Sequence, residues 1–430
     1  MSAVVVFIIF AICLVIAIPI SISLGIVAVL PGAFDASFTA SAGYVIRSMV
    51  GGIDSFPLLA VPMFVLAGIL MAHGKISEKL FDVFVYFLGN KRAGIPCAVI
   101  ITCLFYGAIS GSAPATVAAV GSMTIPLLIE LGYEKDFSTA IVAVAGGLGV
   151  IIPPSIPFIM YAMATGESVS DLFLAGIVPG MMISALLIFY AYYYCRRHGE
   201  DREKIQAKMG QLKAKGFFNI LKESIWALLS PVIVLGCIYT GVASPTEAAV
   251  ISVFYSLFVS LFIYRSIKVK QIWGIMVEAM KTYAPILFIL ATSTAFSRVL
   301  TLMQVPQDVS AWIMTHFSNE IVLLLVINVV LLIVGMVMDT TPAILILSPI
   351  LLPIVEHVGM NPIHFGVMVI VNLAVGFVTP PVGVNLFVAS SLTNVPMMQI
   401  AKKAMPMIGY FMLALLLITF IPAISLCLLS

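Results

Sequence analysis

The sequence predicts an all-α polytopic membrane protein, built from two inverted repeats that each contain a re-entrant helical hairpin and a broken transmembrane helix. Three observations support this prediction. The 430 residues are 62% hydrophobic and 9% charged, with a mean hydropathy of +1.18, whereas soluble domains hold about 25% charged residues. Motifs rich in glycine and proline recur at one offset along the chain. Segments rich in lysine and arginine in one half of the chain correspond to segments poor in these residues in the other half.

Apolar segments follow one another from end to end of the chain. A transmembrane helix needs about 20 apolar residues, and the sequence predicts nine spans, at 4–30, 56–72, 137–165, 173–195, 224–243, 247–264, 284–301, 364–392 and 404–428. The first has neither the basic n-region nor the small-residue cleavage site of a secretory signal, so we interpret it as a membrane helix. Residues 75–92 mix charges with bulky apolar side chains, which is typical of an interfacial helix.

Two further apolar regions, 94–130 and 320–358, do not fit ordinary spans. Glycine, hydroxyl residues and proline interrupt the first at 107–114, and glycine, Asp339 and proline interrupt the second at 335–342. An arm of about 14 residues covers roughly 21 Å, which is less than the ~30 Å hydrocarbon core. Each region is therefore predicted to be a hairpin of two half-helices that enters and leaves the membrane on one side.

An internal duplication relates these regions. The segment GVIIPP at 149–154 aligns with GFVTPP at 376–381 at an offset of 227 residues, and three further proline and glycine pairs match at the same offset. The first repeat is predicted over 1–195, with hairpin 94–130 and broken helix 137–165. The second is predicted over 223–430, with hairpin 320–358 and broken helix 364–392. Internal repeats of this kind are typical of secondary transporters.

The basic residues indicate which way each repeat faces, because cytoplasmic loops hold an excess of lysine and arginine. Segment 73–92 contains four basic residues and its counterpart 302–319 contains none. Segment 265–281 contains four, whereas its counterpart 38–54 contains only Arg47. This exchange predicts inverted topology. The basic loop 196–222 is then cytoplasmic, as is the N-terminus, and the C-terminus lies on the opposite face.

The two hairpin tips and the two helix breaks are the candidate binding positions, since non-helical backbone at membrane depth is tolerated only beside protein or a water-filled cavity. Half-helix N-termini favour an anionic group. Unwound carbonyl groups favour a hard cation such as Na⁺. The residues predicted to bind substrate and ion are Ser110, Gly111, Ser112, Thr116, Gly149, Pro153, Pro154, Ser155, Asp339, Thr340, Thr341, Gly376, Thr379, Pro380 and Pro381.

Some polar residues also have a purely structural interpretation. Asp339 precedes Thr-Thr-Pro and is a good N-cap, a role compatible with ion binding. Asn372 and Asn385 are equally well explained by hydrogen bonds between helices. Glu247 follows Ser-Pro-Thr, a pattern typical of a helix start.

Several classes of function lack their signatures in this sequence. It contains no P-loop, no HExxH and no Ser/Lys pair at membrane depth, which disfavours an ATP-driven pump and an intramembrane enzyme. Paired inverted hairpins fit an alternating-access transporter better than they fit a channel. The six cysteines form no CxxC and are expected to be buried. The net charge of +2, without a basic arm, predicts no nucleic-acid partner.

Five motifs together resemble the large membrane subunit of tripartite ATP-independent periplasmic (TRAP) transporters. They are SGSAPAT at 110–116, GVIIPPSIP at 149–157, LFLAGIVPG at 172–180, SPTEAA at 244–249 and VTPPVGVNLF at 378–387. The resemblance covers essentially the whole chain. It implies a multi-pass protein of the bacterial inner membrane, with a periplasmic C-terminus, that imports a small organic anion by an elevator movement of its hairpin domain.

The resemblance also implies the coupling ion and the partners. Na⁺ is the expected coupling ion and no organic cofactor is expected. The expected partners are the lipid bilayer, a separate small four-helix membrane subunit and a soluble periplasmic substrate-binding protein. The substrate would be a C4-dicarboxylate or a sugar acid such as sialic acid, bound near Ser110, Ser112, Ser155 and Asp339. The alternative is an elevator-type carboxylate carrier that works without a binding protein.

Overall fold

The computed structural model describes residues 3–34, 38–214, 216–316 and 319–429, so Lys215 of the predicted basic loop lies outside the described residues. The described part of the chain forms 21 α-helices. These are α1 Ala3–Val15, α2 Ile20–Phe34, α3 Ala42–Ile53, α4 Ala60–His73, α5 Ile76–Leu88, α6 Gly94–Ser110, α7 Ala113–Glu130, α8 Lys135–Ala145, α9 Ile156–Thr165, α10 Val169–His198, α11 Arg202–Ala214, α12 Phe217–Tyr239, α13 Pro245–Phe258, α14 Val269–Leu302, α15 Val305–His316, α16 Glu320–Val337, α17 Thr340–His357, α18 Pro362–Gly376, α19 Val384–Thr393, α20 Met397–Phe420 and α21 Ala423–Leu426.

Nine helical segments of the described residues are long and apolar enough to cross a membrane. Six coincide with predicted spans, and they contain α4, α10, α12, α13, α14 and α20. The other three are α7, α16 and α17, which are arms of the predicted hairpins. Each of these arms has 18 residues rather than about 14, so it covers about 27 Å, just under the ~30 Å core. The polytopic all-α class is confirmed, and the re-entrant path of the hairpins stays a prediction.

The first predicted span, 4–30, is wrong as a single helix. Helix α1 ends at Val15, Ala17 has a positive φ of 63° and Pro19 precedes α2. A left-handed residue ends a helix and proline cannot continue its hydrogen bonding. Helices α1 and α2 are each too short to cross alone, at 13 and 15 residues. They pack instead on α14, where Phe7 and Phe10 contact the ring of Phe296.

Three other boundaries also differ from the prediction. The basic loop 196–222 contains helix α11, because Ile205 and Met209 form a buried i, i+4 pair within an otherwise polar segment. Segment 265–281 is mostly helical and belongs to α14, which has 34 residues. The last predicted span ends early, at Phe420, because Pro422 follows.

The element order of the first half recurs in the second. A helix pair is followed by a broken helix and then a long helix, as α6–α10 and again as α16–α20. Both predicted helix breaks are present, between α8 and α9 and between α18 and α19. The packing of the two pairs differs, since α6 packs along α7, whereas α16 packs mainly on α18 and α17 on α9 and α14.

Glu200 joins the two ends of the first hairpin. Its side chain is only 2% exposed and pairs with Arg202 at 2.9 Å. It accepts a 3.0 Å hydrogen bond from the Ala93 amide, just before α6, and a 2.7 Å bond from the Tyr133 hydroxyl, just after α7. A buried carboxylate is tolerated only when it is paired and hydrogen-bonded. Glu200 therefore ties both ends of the hairpin to the end of α10.

Each hairpin touches its own broken helix at a pair of glycines. A Cβ atom on Gly107 of α6 would lie 2.7 Å from the Gly149 Cα atom, and one on Gly376 of α18 would lie 2.4 Å from the Gly335 carbonyl carbon of α16. These are contacts between backbones, which no larger residue permits. The two crossings occupy corresponding places in the two repeats, and they place each hairpin tip beside a helix break.

The second crossing generates a stability prediction. Gly376→Ala forces a methyl group into the Gly335 backbone, and overpacking of this kind costs about 1–3 kcal/mol or more. Gly409→Ala is the matched control, because Gly409 lies within α20 and a Cβ there meets no atom within 4 Å. We expect a clearly lower midpoint of thermal aggregation for Gly376→Ala alone, measured by size-exclusion chromatography after heating. Equal midpoints for the two variants would contradict the close crossing.

Candidate functional site

The first hairpin tip holds a small cluster of hydroxyl groups. Ser110 ends α6, Gly111 has a positive φ of 60° and Ser112 precedes α7. The hydroxyls of Ser110 and Thr116 are 3.0 Å apart, and the Thr116 hydroxyl donates to the Ser112 carbonyl at 2.8 Å. The Ser112 side chain makes no capping bond to α7. The tip therefore concentrates oxygen atoms and leaves the N-terminus of α7 without a side-chain cap.

The first helix break lies directly against this tip. The Ile156 amide donates to the Gly111 carbonyl at 3.2 Å, and a Cβ on Gly149 would lie 2.4 Å from the Thr116 hydroxyl oxygen. Pro153 and Pro154, joined by a cis peptide bond, form the turn. The fully buried Ser155 caps α9 and donates its hydroxyl to the Val150 carbonyl at 2.5 Å. Ser155 thus shapes the break.

The second tip and the second break meet in a similar way. The Val382 amide donates to the Met336 carbonyl at 3.2 Å, next to the cis bond between Pro380 and Pro381. Asp339 caps α17, accepting a 2.7 Å bond from the Thr340 amide. The N-cap predicted at Asp339 and the helix start predicted around Glu247 are both present, and Glu247 forms a capping box with Ser244.

Three of the predicted residues at this end are buried or bonded locally. Thr340 and Thr341 are buried at the start of α17. The Thr379 hydroxyl donates to the Val375 carbonyl of its own helix at 2.7 Å. Asp339 lies at the surface of the tip, and its carboxylate accepts a hydrogen bond from the Thr340 amide through Oδ1.

Buried asparagines connect these helices. Asn372 of α18 donates to the side-chain oxygen of Asn328 at 2.8 Å, and Asn385 of α19 donates to the Ala143 carbonyl of α8 at 3.0 Å. The helix-to-helix hydrogen bonds predicted for Asn372 and Asn385 are confirmed, and the second joins the two broken helices. Both asparagines are fully buried, and their amide oxygens have no hydrogen-bond partner in the described part of the chain.

A cavity of about 370 Å³ opens beside the first tip. It is lined by Ser110, Ser112 and Ala115 of the hairpin, by Ile156 of α9, and by α4 and α14. The lining also includes a 3.0 Å hydrogen bond between His73 Nε2 of α4 and Glu278 Oε2 of α14. A second cavity, of about 480 Å³, holds Arg298, Glu167 and Ser55 between α3, α14 and α17. The first cavity contains predicted site residues and the second contains none of them.

The predicted residues thus fall into two clusters, each formed where one hairpin tip meets one helix break. Ser110, Gly111, Ser112, Thr116, Gly149 and the first Pro-Pro pair form the first, and Asp339, Thr340, Thr341, Gly376 and the second Pro-Pro pair form the other. Helix α9 begins at the first cluster and packs on α17, which begins at the second. Sequence reasoning missed Asn328, although an amide within the apolar run 320–337 was a usable signal.

The chain is similar to known proteins along nearly its whole length. The model of the family described as "Tripartite ATP-independent periplasmic transporter, DctM component" matches residues 7–424. The isethionate TRAP transporter permease protein DctMQ of Oleidesulfovibrio alaskensis is 43% identical over 96% of this chain, which spans only 64% of that longer protein. The C4-dicarboxylate TRAP transporter large permease protein DctM of Pseudomonas aeruginosa is 39% identical, over 87% of this chain and 86% of the relative.

Solved structures show a similar fold at low sequence identity. The YdaH transporter of Alcanivorax borkumensis aligns with a TM-score of 0.63 at 14% identity, covering 93% of this chain and 96% of that chain. MtrF of Neisseria gonorrhoeae aligns with the same TM-score at 15% identity, covering 93% of each chain. The near-complete family match and the full-length relatives together establish that the chain belongs to the DctM large-permease family of TRAP transporters.

Proposed function

We propose that this chain is the permease of a Na⁺-coupled secondary importer, which carries a small organic anion across the bacterial inner membrane. A periplasmic binding protein delivers the anion, and a small four-helix membrane subunit completes the membrane complex. The family and the relatives support this proposal, since relatives are named for transport of isethionate, C4-dicarboxylates and 2,3-diketo-L-gulonate. All three are small organic anions.

The first tip is the observation on which the anion site rests. Helix α7 begins there with no side-chain cap, in a cavity of about 370 Å³ lined by Ser110 and Ser112. Free amides and the positive end of the helix dipole attract an anion. Helices α9 and α17 have their N-termini capped by Ser155 and Asp339. Helix α19 also begins without a side-chain cap, but none of its residues lines this cavity. The anion is therefore assigned to the N-terminus of α7.

Na⁺ is carried as a co-substrate, and oxygen atoms suited to it lie at both clusters. Hard cations prefer carbonyl, hydroxyl and carboxylate oxygens. The first cluster offers the hydroxyls of Ser110 and Thr116 with the Ser112 carbonyl. The second offers the Asp339 carboxylate, whose ionisation at membrane depth costs several kcal/mol unless a cation is nearby. Asn372 and Asn385 add buried amide oxygens without hydrogen-bond partners among the described residues.

Movement of the hairpins relative to α4 and α14 would then carry the site across the membrane. Hairpin and broken helix are joined by backbone contacts in both repeats, which suits them to move together. The hydrogen bond between His73 and Glu278 links α4 to α14 beside the cavity. These two helices would form the stationary wall, in keeping with the elevator movement expected for this family.

Reconstitution tests the function directly. Proteoliposomes that contain this chain and its small membrane subunit should accumulate one of succinate, sialic acid or isethionate. We expect uptake only with an inward Na⁺ gradient and with the cognate binding protein outside. An inward K⁺ gradient is the control. Uptake without any binding protein would favour a stand-alone carboxylate carrier, and equal uptake with K⁺ would contradict Na⁺ coupling.

Asp339→Asn tests the role of the second tip. Asparagine keeps the N-cap but removes the charge that stabilises a cation. Charge-assisted contacts contribute about 1.5–3 kcal/mol, so initial Na⁺-driven uptake should fall at least about tenfold while the protein still assembles. Asp308→Asn is the control, because Asp308 lies exposed in the first turn of α15, a helix that carries none of the predicted site residues. Normal uptake and unchanged Na⁺ dependence in Asp339→Asn would show that Asp339 acts only as a helix N-cap.

A further inference from the structure

Three lysines surround a separate hollow, remote in sequence from the tips. The hollow, of about 760 Å³, lies between the start of α5, the first turns of α12 and segment 263–266, which follows α13. Lys75 and Lys79 line it from the α5 side and Lys222 lines it from α12. We call these residues, with Trp226 and Tyr264 on the wall, the lysine hollow.

Among the described residues, the positive charge of the lysine hollow is balanced only in part. Glu223 is the acidic residue among those that line it, and it forms an ion pair with Lys79. Lys75 and Lys222 form no ion pair within the part of the chain that the structure describes. Two ammonium groups therefore face the same cavity with a net positive charge. Such a cavity favours an anion.

The surroundings of the hollow are those of a membrane interface. Tyr264 donates its hydroxyl to the Glu223 carbonyl at 2.6 Å, and Tyr255 donates to the Trp226 carbonyl at the same distance. Tryptophan and tyrosine are enriched at the level of the lipid headgroups, and lysine excess marks the cytoplasmic side. On the outer surface of the adjoining helix, Phe258 and Phe262 pack together and are exposed. An apolar surface for acyl chains thus adjoins a basic pocket for a headgroup.

We propose that the lysine hollow binds the headgroup of an anionic phospholipid from the cytoplasmic leaflet. The phosphate diester lies between the ammonium groups of Lys75 and Lys222, and the acyl chains lie along the exposed Phe258 and Phe262. Basic pockets between transmembrane helices are suited to such headgroups. A soluble phosphate would use the lysines but would gain nothing from the apolar surface, so the lipid is the favoured source of the charge.

The position of the lysine hollow connects the bound lipid to movement of the first hairpin. Helix α5 connects α4, which belongs to the cavity wall, with α6, the first arm of the hairpin. It packs on both α6 and α12. A headgroup held by Lys75 and Lys222 joins the start of α5 to α12. The lipid thereby holds in place helix α5, from which the first hairpin extends.

Trp226 is a built-in probe of this site. The chain has three tryptophans, and changing Trp273 and Trp312 to Phe leaves Trp226 as the single indole. The purified full-length chain in neutral detergent is titrated with phosphatidylglycerol brominated on its acyl chains, which quenches nearby indole fluorescence. Brominated phosphatidylcholine is the zwitterionic comparison. We expect half-maximal quenching at a several-fold lower concentration of phosphatidylglycerol than of phosphatidylcholine.

Charge variants separate this site from general attraction to anionic lipid. A surface lysine contributes about a fivefold effect on binding to anionic lipid, so Lys75→Gln with Lys222→Gln should abolish the preference for phosphatidylglycerol. Lys281→Gln with Lys402→Gln removes the same net charge from exposed lysines outside the hollow and should leave the preference intact. An equal loss in both double variants, or equal quenching by the two lipids, would overturn the proposal.

Two further outcomes would also overturn it. Displacement of the lipid by millimolar inorganic phosphate, with recovery of fluorescence, would assign the hollow to a soluble anion. Loss of quenching when the small membrane subunit is co-purified would assign the hollow to that subunit. Because neither measurement involves the transported substrate, failure of the lipid site leaves the proposed transport function standing, and failure of uptake leaves the lipid result interpretable.

Discussion

The contact of glycine with glycine, where each hairpin crosses its broken helix, is the constraint on which the site depends. At membrane depth, unwound backbone must be buried in protein or line an aqueous cavity. The crossings of Gly107 on Gly149 and of Gly335 on Gly376 bring tip and break to backbone contact. Interlocking hydrogen bonds then become possible, from Ile156 to Gly111 at the first tip. Each hairpin tip and its helix break thereby satisfy part of each other's backbone hydrogen bonding.

The two pairs are similar in backbone but differ in charge. At the first tip, neutral hydroxyls surround a helix N-terminus that no side chain caps. At the second, Asp339 caps α17 and brings a negative charge. An anion is attracted to the first arrangement and a cation to the second. In the proposed function, this duplicated backbone with different side chains would provide separate positions for an organic anion and its coupling ion.

Much of this arrangement was predictable from the sequence, because it depends on residue types with few alternatives. Glycine and proline interruptions located the tips and the breaks, and their common offset paired them. The close crossings themselves were not predictable, since Gly107 and Gly335 differ from other helical glycines only through their neighbours in space. The sequence predicts only that Glu200 belongs to a basic loop, because its burial against Tyr133 and Arg202 depends on tertiary packing. The turn at Ala17 was not predictable. Its one sign in the sequence is Pro19, and an apolar membrane helix tolerates a single proline.

The central claim is that the anion binds at the N-terminus of α7, against the first tip, rather than elsewhere between the helices. A cryo-electron microscopy map of the reconstituted complex with saturating substrate and Na⁺ tests this directly. We expect density for the organic anion in contact with Ser112 and the first amides of α7. Density beside Arg298 in the second cavity, with none at the tip, would contradict the account.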